Sequence, residues 1–236
     1  MLREIDRNLW VAEQPLKYFG LSVGTRMTIV RLTNGELVII SPISIDPFLD
    51  EQIQAIGQVR YIISPNLYHY RFAAHCKSMY PRAQFWAASG LEVKRAEMEI
   101  DFLMRDRQGT ILDEIDYLFF DGFRTFGLTG ASPLNEYVFF HRQTQTLILT
   151  DTAFHFDESF SAITQFIART LGSYNQLRPT WLEKLATRST EKVKHSVKEL
   201  LEWDFKRVIM AHGSIVETHA QQQFKEGYEW FLDCRL

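Results

Sequence analysis

The chain has 236 residues, 46% hydrophobic and 23% charged, with a net charge of −3, as expected of an ordinary soluble globular protein. That balance offers no basic face for nucleic acid, and no run of about 18 apolar residues exists to cross a membrane. Cys76 and Cys234 stand far apart without any CxxC, which argues against a disulfide framework or a thiolate zinc site and makes the cytoplasm the expected compartment.

The opening "MLREIDRNLW" carries charges where a signal peptide needs its apolar core. "NLWVAEQPL" reads as a short strand. "RMTIVRLTNGELVIISPI" reads as a hairpin, because Asn34-Gly35 joins two β-rich runs. "DPFLDEQIQAIG" has a capping Asp46, helical spacing and a terminal Gly57. "VRYIIS" is a compact buried strand that stops at Pro65. "RFAAHCKSMYP" reads as a helix ended by Pro81, "AQFWAAS" as a strand and "LEVKRAEM" as a short helix or turn.

Strands dominate the middle. "DEIDYLFFDG", "FRTFGL" and "NEYVFFHRQTQTLILTD" hold three or four, the last a hairpin turning near Arg142 to Gln145, which leaves His141 solvated. Helices follow. "DESFSAITQFIARTLG" starts at a capping aspartate, and the charged run from Pro179 to Phe205 makes two helices broken near Thr187 to Ser189. "KRVIMAHG" is a last strand and "THAQQQFKEGYEWFL" a closing helix. The order fits one α/β domain over residues 1–236, with a helical segment at about 158–205. Two mixed sheets between outer helices, a four-layer αββα sandwich, suit it better than a doubly wound sheet. No glycine-rich phosphate loop follows a strand.

Three polar residues stand at strand ends: His69 beyond "YIIS", Asp151 after "TLILT" and His212 after "RVIMA". Strand tips that end on one side of a sheet gather ligands. Two imidazoles and a carboxylate suit zinc, iron or manganese. The alternative for each residue alone is a hydrogen-bonded turn residue. His75 reads as a helix-surface residue and Cys76 as a small buried hydrophobe. His195 reads as exposed and His219 as an early residue of the last helix.

The segments "FRTFGLTGASPLNEYVFFHRQTQTLILTDTAF" and "RVIMAHG" resemble the metallo-β-lactamase superfamily, whose hairpin and aspartate run as "GHTPGS…LLxGDxLF" and whose late strand ends in "GH". "YIISPNLYHY" falls where that family carries its HxHxDH loop, and its "PN..H" pattern is closest to the DUF4336 branch of unknown function. The resemblance implies Asp151 as the metal-bridging aspartate and His212 as the last histidine. With His69 as the final loop histidine, Ser64 and Asn66 replace two others, and Tyr68 replaces the aspartate. Ser132 replaces the "GHTPGS" histidine. The resemblance therefore implies a degenerate site in which His69, Asp151 and His212 hold one zinc, iron or manganese ion, or in which no metal binds.

Two functions are consistent with this. One is a metal-dependent hydrolase of a small ester, thioester, lactone or amide, with Asp151 and His69 catalytic and Asn66, Tyr68, Ser132 and His155 facing the substrate. The other is a non-catalytic protein that keeps the fold and binds a small ligand or a partner. Neither involves nucleic acid or a membrane.

Overall fold

The run from Thr25 to Ile40 folds as its residues dictate. Two β-branched segments pair around a tight turn in which Gly35 takes a left-handed φ of +85°, a conformation open to glycine at no steric cost. Asn34 Oδ1 accepts the Glu36 N–H at 2.9 Å, the side-chain bond that suits asparagine to turns. The computed structural model describes residues 1–18, 20–127 and 130–236. The chain forms two compact units, Met1–Gln14 with Thr25–Asp106 and Pro15–Gly24 with Arg107–Leu236.

In the first unit β1 (Leu2–Asp6) and β2 (Leu9–Gln14) come first. A small hairpin of the second unit, β3 (Lys17–Tyr18) and β4 (Leu21–Ser22), interrupts them before β5 (Thr25–Arg31) and β6 (Glu36–Ile40). Next come α1 (Pro47–Ile56), β7 (Gln58–Ser64), α2 (Ala73–Met79), β8 (Gln84–Ala88), α3 (Leu91–Lys94) and β9 (Phe102–Met104). The seven strands order as β1-β2-β5-β6-β7-β8-β9, antiparallel up to β6 and parallel from β6 to β9. Parallel neighbours need crossovers, and the three helices supply them.

α1 starts as expected, with Asp46 Oδ1 accepting the Leu49 N–H at 2.7 Å and Pro47 in the first turn. Ile29, Leu37, Ile39, Ile62 and Phe85 of the sheet pack with Leu49 and Ile53 of α1 and with Ala73 and Cys76 of α2. Val38 and Ile40 alternate to the other face and are equally buried, which explains the unbroken apolar run in the sequence. Ser41 leaves the carboxyl end of β6, and the loop bearing His69 leaves that of β7, its parallel neighbour.

The second unit continues with β10 (Gln108–Ile111), β11 (Ile115–Phe120), β12 (Arg124–Gly127), β13 (Gly130–Pro133), β14 (Glu136–His141) and β15 (Thr146–Ile148). Helices α4 (Ala162–Leu171), α5 (Trp181–Ala186) and α6 (Thr190–Leu201) precede β16 (Arg207–Ile209) and α7 (Ala220–Leu232). Its five-stranded sheet orders β10-β11-β14-β15-β16, with β15 and β16 parallel and in register at Ile148 and Ile209. Asp151 and His212 each lie three residues beyond that pair, so the register itself brings them to one edge. The expected break between the two later helices falls at Thr187 to Ser189, where α5 ends and α6 begins.

Several expectations are corrected. The fourth helix is capped by Ser161, whose hydroxyl accepts the Thr164 N–H, and not by Asp157. Asp157 instead closes a turn on the N–H and hydroxyl of Ser159. His141 is fully buried rather than solvated, its Nδ1 lying 2.9 Å from Thr144 Oγ1. The strand β1 and the β3–β4 hairpin were not expected. Leu128 and Thr129, at the end of the expected "FRTFGL" strand and its motif, lie outside the described residues. Among the described residues no helix is long and apolar enough to cross a membrane.

Candidate metal centre

In the second unit Asp151 Oδ1 stands 3.4 Å from His212 Nε2, with the two side chains only 15% and 13% exposed. The other ring nitrogen, His212 Nδ1, lies 2.6 Å from the Gly24 carbonyl oxygen. A carbonyl can only accept, so Nδ1 carries the proton of that bond. In the neutral ring Nε2 then presents its lone pair toward a carboxylate oxygen. Two acceptors converge, and a cation or a second proton belongs between them.

The separation tests whether a metal fits. Zinc bonds of about 2.0–2.2 Å to nitrogen and oxygen at a tetrahedral angle place the two ligand atoms about 3.4 Å apart. A charge-assisted N–H···O⁻ bond is shorter, about 2.7–2.9 Å. The observed 3.4 Å matches the spacing of two ligands about one ion and is longer than such a hydrogen bond.

The backbone around the pair is tightly held. Gly213 takes φ +98°, and a Cβ there would come 2.3 Å from the His155 carbonyl oxygen. That carbonyl accepts the Ser214 N–H at 2.7 Å. The strand-like segment around His155 therefore runs against the residues that follow His212, and Phe154 lies alongside the His212 ring with centroids 6.4 Å apart. Glu136, at the start of β14, is fully buried behind Asp151 and accepts the Asp151 N–H at 2.8 Å. Burial, and then the Asp151 charge, raise its pKa above the ordinary carboxylate value.

In the first unit His69 is half-buried and its Nδ1 lies 2.7 Å from Ser41 Oγ. Ser41 is buried and holds a left-handed φ of +57°, a strained value for a non-glycine residue. Asn66 shapes the His69 loop: it is fully buried, and its Oδ1 accepts the N–H groups of Tyr68 at 2.8 Å and His69 at 2.9 Å. Its buried amide thus braces the loop from beneath. The Tyr68 ring carries the Lys94 ammonium at 4.0 Å from its centroid.

The remaining candidates are spread over both units. Ser132 is half-buried on β13, opposite Thr125. His155 is half-buried, its Nδ1 is buried without a hydrogen-bond partner, and burial lowers its pKa. Ser64 ends β7 fully buried, and its Oγ has no partner. His75 is exposed on α2, as expected. Cys76 is buried with its thiol pushed up to about 12, mainly by burial and further by Asp50, so it is an inert hydrophobe. Sequence reasoning missed Glu136, Ser41 and Gly24. A lone carboxylate opening the apolar run "EYVFF" was the signal for the first; Gly24, which acts through its carbonyl, left none.

A family model described as a domain of unknown function, DUF4336, matches residues 6–186, and the chain belongs to that family. No curated protein matches the sequence. Among solved structures, the DIM-1 metallo-β-lactamase exposed to ceftazidime is similar with a TM-score of 0.67 at 12% identity, over 98% of this chain and 96% of that one. The FIM-1 metallo-β-lactamase from Pseudomonas aeruginosa, in its mono-zinc form, gives 0.63 at 9% identity, over 98% and 96%. A metal-soaked Flv1 flavodiiron core from Synechocystis gives 0.68 at 15% identity, over 99% of this chain and 60% of that one. The chain has the metallo-β-lactamase fold.

Proposed function

We propose that this protein is a metal-dependent hydrolase of a small ester, thioester, lactone or amide, using one ion held by His69, Asp151 and His212 in a single functional domain. The observation that carries this reading is the 3.4 Å approach of Asp151 Oδ1 to a His212 Nε2 whose ring partner is committed to a carbonyl. The metallo-β-lactamase fold supports it, and FIM-1 is an example of that fold described in a mono-zinc form.

Each residue has a part. Asp151 supplies the charge that neutralises a divalent cation, and His212 a lone pair whose direction is fixed by the Gly24 carbonyl. His69, with Nδ1 against Ser41, offers Nε2 as the third ligand. A bound zinc, iron or manganese ion would supply Lewis acidity and a water of lowered pKa at its open position. Asp151 and His69 are then the groups beside the reacting atoms. Tyr68, Ser132 and His155 face the substrate, and Asn66 acts through the loop it braces.

A second reading is a ligand- or partner-binding protein without turnover. It is favoured by the neutral residues Ser64 and Asn66, both fully buried, at positions matching histidines in the HxHxDH loop of the metallo-β-lactamase superfamily. Hydrolysis of a panel of small esters, thioesters, lactones and amides, with and without a chelator, separates the two. Turnover that the chelator abolishes and added zinc, iron or manganese restores supports the hydrolase. Absence of turnover on every class with each metal present would leave the binding reading in its place.

A further inference from the structure

The fully buried carboxylate of Glu136 grips the turn that presents Asp151. Oε1 accepts the Thr150 N–H and the Thr152 hydroxyl, both at 2.8 Å. Oε2 accepts the Asp151 N–H at 2.8 Å and the Thr150 hydroxyl at 2.5 Å. Each oxygen thus takes one backbone N–H and one hydroxyl. Hydroxyls can turn to donate or accept, but a backbone N–H can only donate. An acidic side chain is costly to bury, and an apolar residue would fill the same volume without that cost. What the carboxylate adds is a fixed path for Thr150, Asp151 and Thr152.

We propose that Glu136 is a positioning residue, holding this turn so that the Asp151 carboxylate faces His212. The proposal builds on the reading of Asp151 and His212 as ligands, but the geometry it explains exists without an ion. Glutamine is the informative replacement. Whichever way its amide is turned, its NH₂ meets either the Thr150 or the Asp151 N–H, donor against donor, and the turn must shift. Tyr228 provides the contrast. Its hydroxyl donates to the Thr152 carbonyl at 2.5 Å, so it supports the same turn without touching Asp151.

The test compares the ¹⁵N signal of the His212 ring in chelator-treated wild type, Glu136→Gln, Asp151→Asn and Tyr228→Phe. Glu136→Gln is expected to move the His212 signal most of the way to its Asp151→Asn value. Tyr228→Phe is expected to lower Tm while leaving the signal at its wild-type position. A folded Glu136→Gln protein with a wild-type His212 signal would overturn the proposal, as would an equal displacement in Tyr228→Phe. If Glu136→Gln does not fold, Glu136→Asp keeps the charge one methylene short; an intermediate displacement supports the proposal, and an unmoved signal overturns it. A zinc titration of the same proteins adds a second arm, with affinity in Glu136→Gln lower by about 10-fold or more. Wild type that takes up no zinc would remove the functional reading, and the chelated comparison would still decide the role of Glu136.

Discussion

Asp151 and His212 meet because β15 and β16 run parallel with Ile148 opposite Ile209, and each chain continues three residues past that pair. The register brings the two backbone positions to one edge, and the side chains close the separation to 3.4 Å. The side chains then decide what the edge can hold. A carboxylate and a ring nitrogen lone pair are both donor types that transition metals accept.

Replacing Asp151 with Asn removes the charge and leaves the shape. Metal affinity should fall by about 10-fold or more, read by equilibrium titration with zinc. The Tm of the metal-free protein should move little. A loss of stability of about 1–3 kcal/mol with unchanged metal affinity would instead make Asp151 a buried hydrogen-bond partner.

Gly213→Ala should destabilise the fold. The new Cβ would stand 2.3 Å from the His155 carbonyl oxygen, at a φ of +98°. Strain of this kind costs about 1–3 kcal/mol, which for a chain of this size lowers Tm by at least about 2 °C. A thermal melt followed by circular dichroism checks it, and an unchanged Tm would show that the backbone there yields freely.

Stability should fall as pH drops below neutrality, in part through His155. Burial is the main influence on its ring and lowers its pKa, against the opposing charges of Asp157 and Glu158. In the unfolded chain the value is about 6.5. Between that value and the lower folded one, the unfolded state binds the proton and the folded state does not. Stability from this group is therefore complete above the unfolded value and declines as pH falls toward the folded one. His155→Gln should flatten the dependence of Tm on pH between about 7 and 5, and an identical slope would show that other groups set it.

The two cysteines should separate by reactivity. Cys234 is half-buried near the chain end, whereas Cys76 is fully buried with its thiol raised to about 12. A maleimide at pH 7 should label Cys234 in the native protein and Cys76 only after denaturation. Native labelling of Cys76 would reveal opening around α2.

What could be read from the sequence followed from apolar runs and their ends. "TLILT" and "RVIMA" are short, apolar and rich in β-branched residues, the pattern of buried strands, which places the polar residues that follow them at strand ends. Parallel pairing of those two strands, which turns two strand ends into one site, is not written in either run. His141 was misread because a histidine beside a hairpin turn is usually solvated; here Thr144 meets its ring and the residue is fully buried. The cap at Ser161 was masked by an earlier aspartate that makes its own turn. Glu136 was passed over because four donors from Thr150, Asp151 and Thr152 gather on it only after β14 and β15 pair.

The most direct test of the central claim is the metal content of the wild-type protein, purified without chelator and analysed for zinc, iron and manganese by elemental mass spectrometry. One ion per chain is predicted, lost when His69, Asp151 or His212 is replaced by alanine. A chain that holds no metal even after incubation with each ion, or one that holds two, would contradict the account.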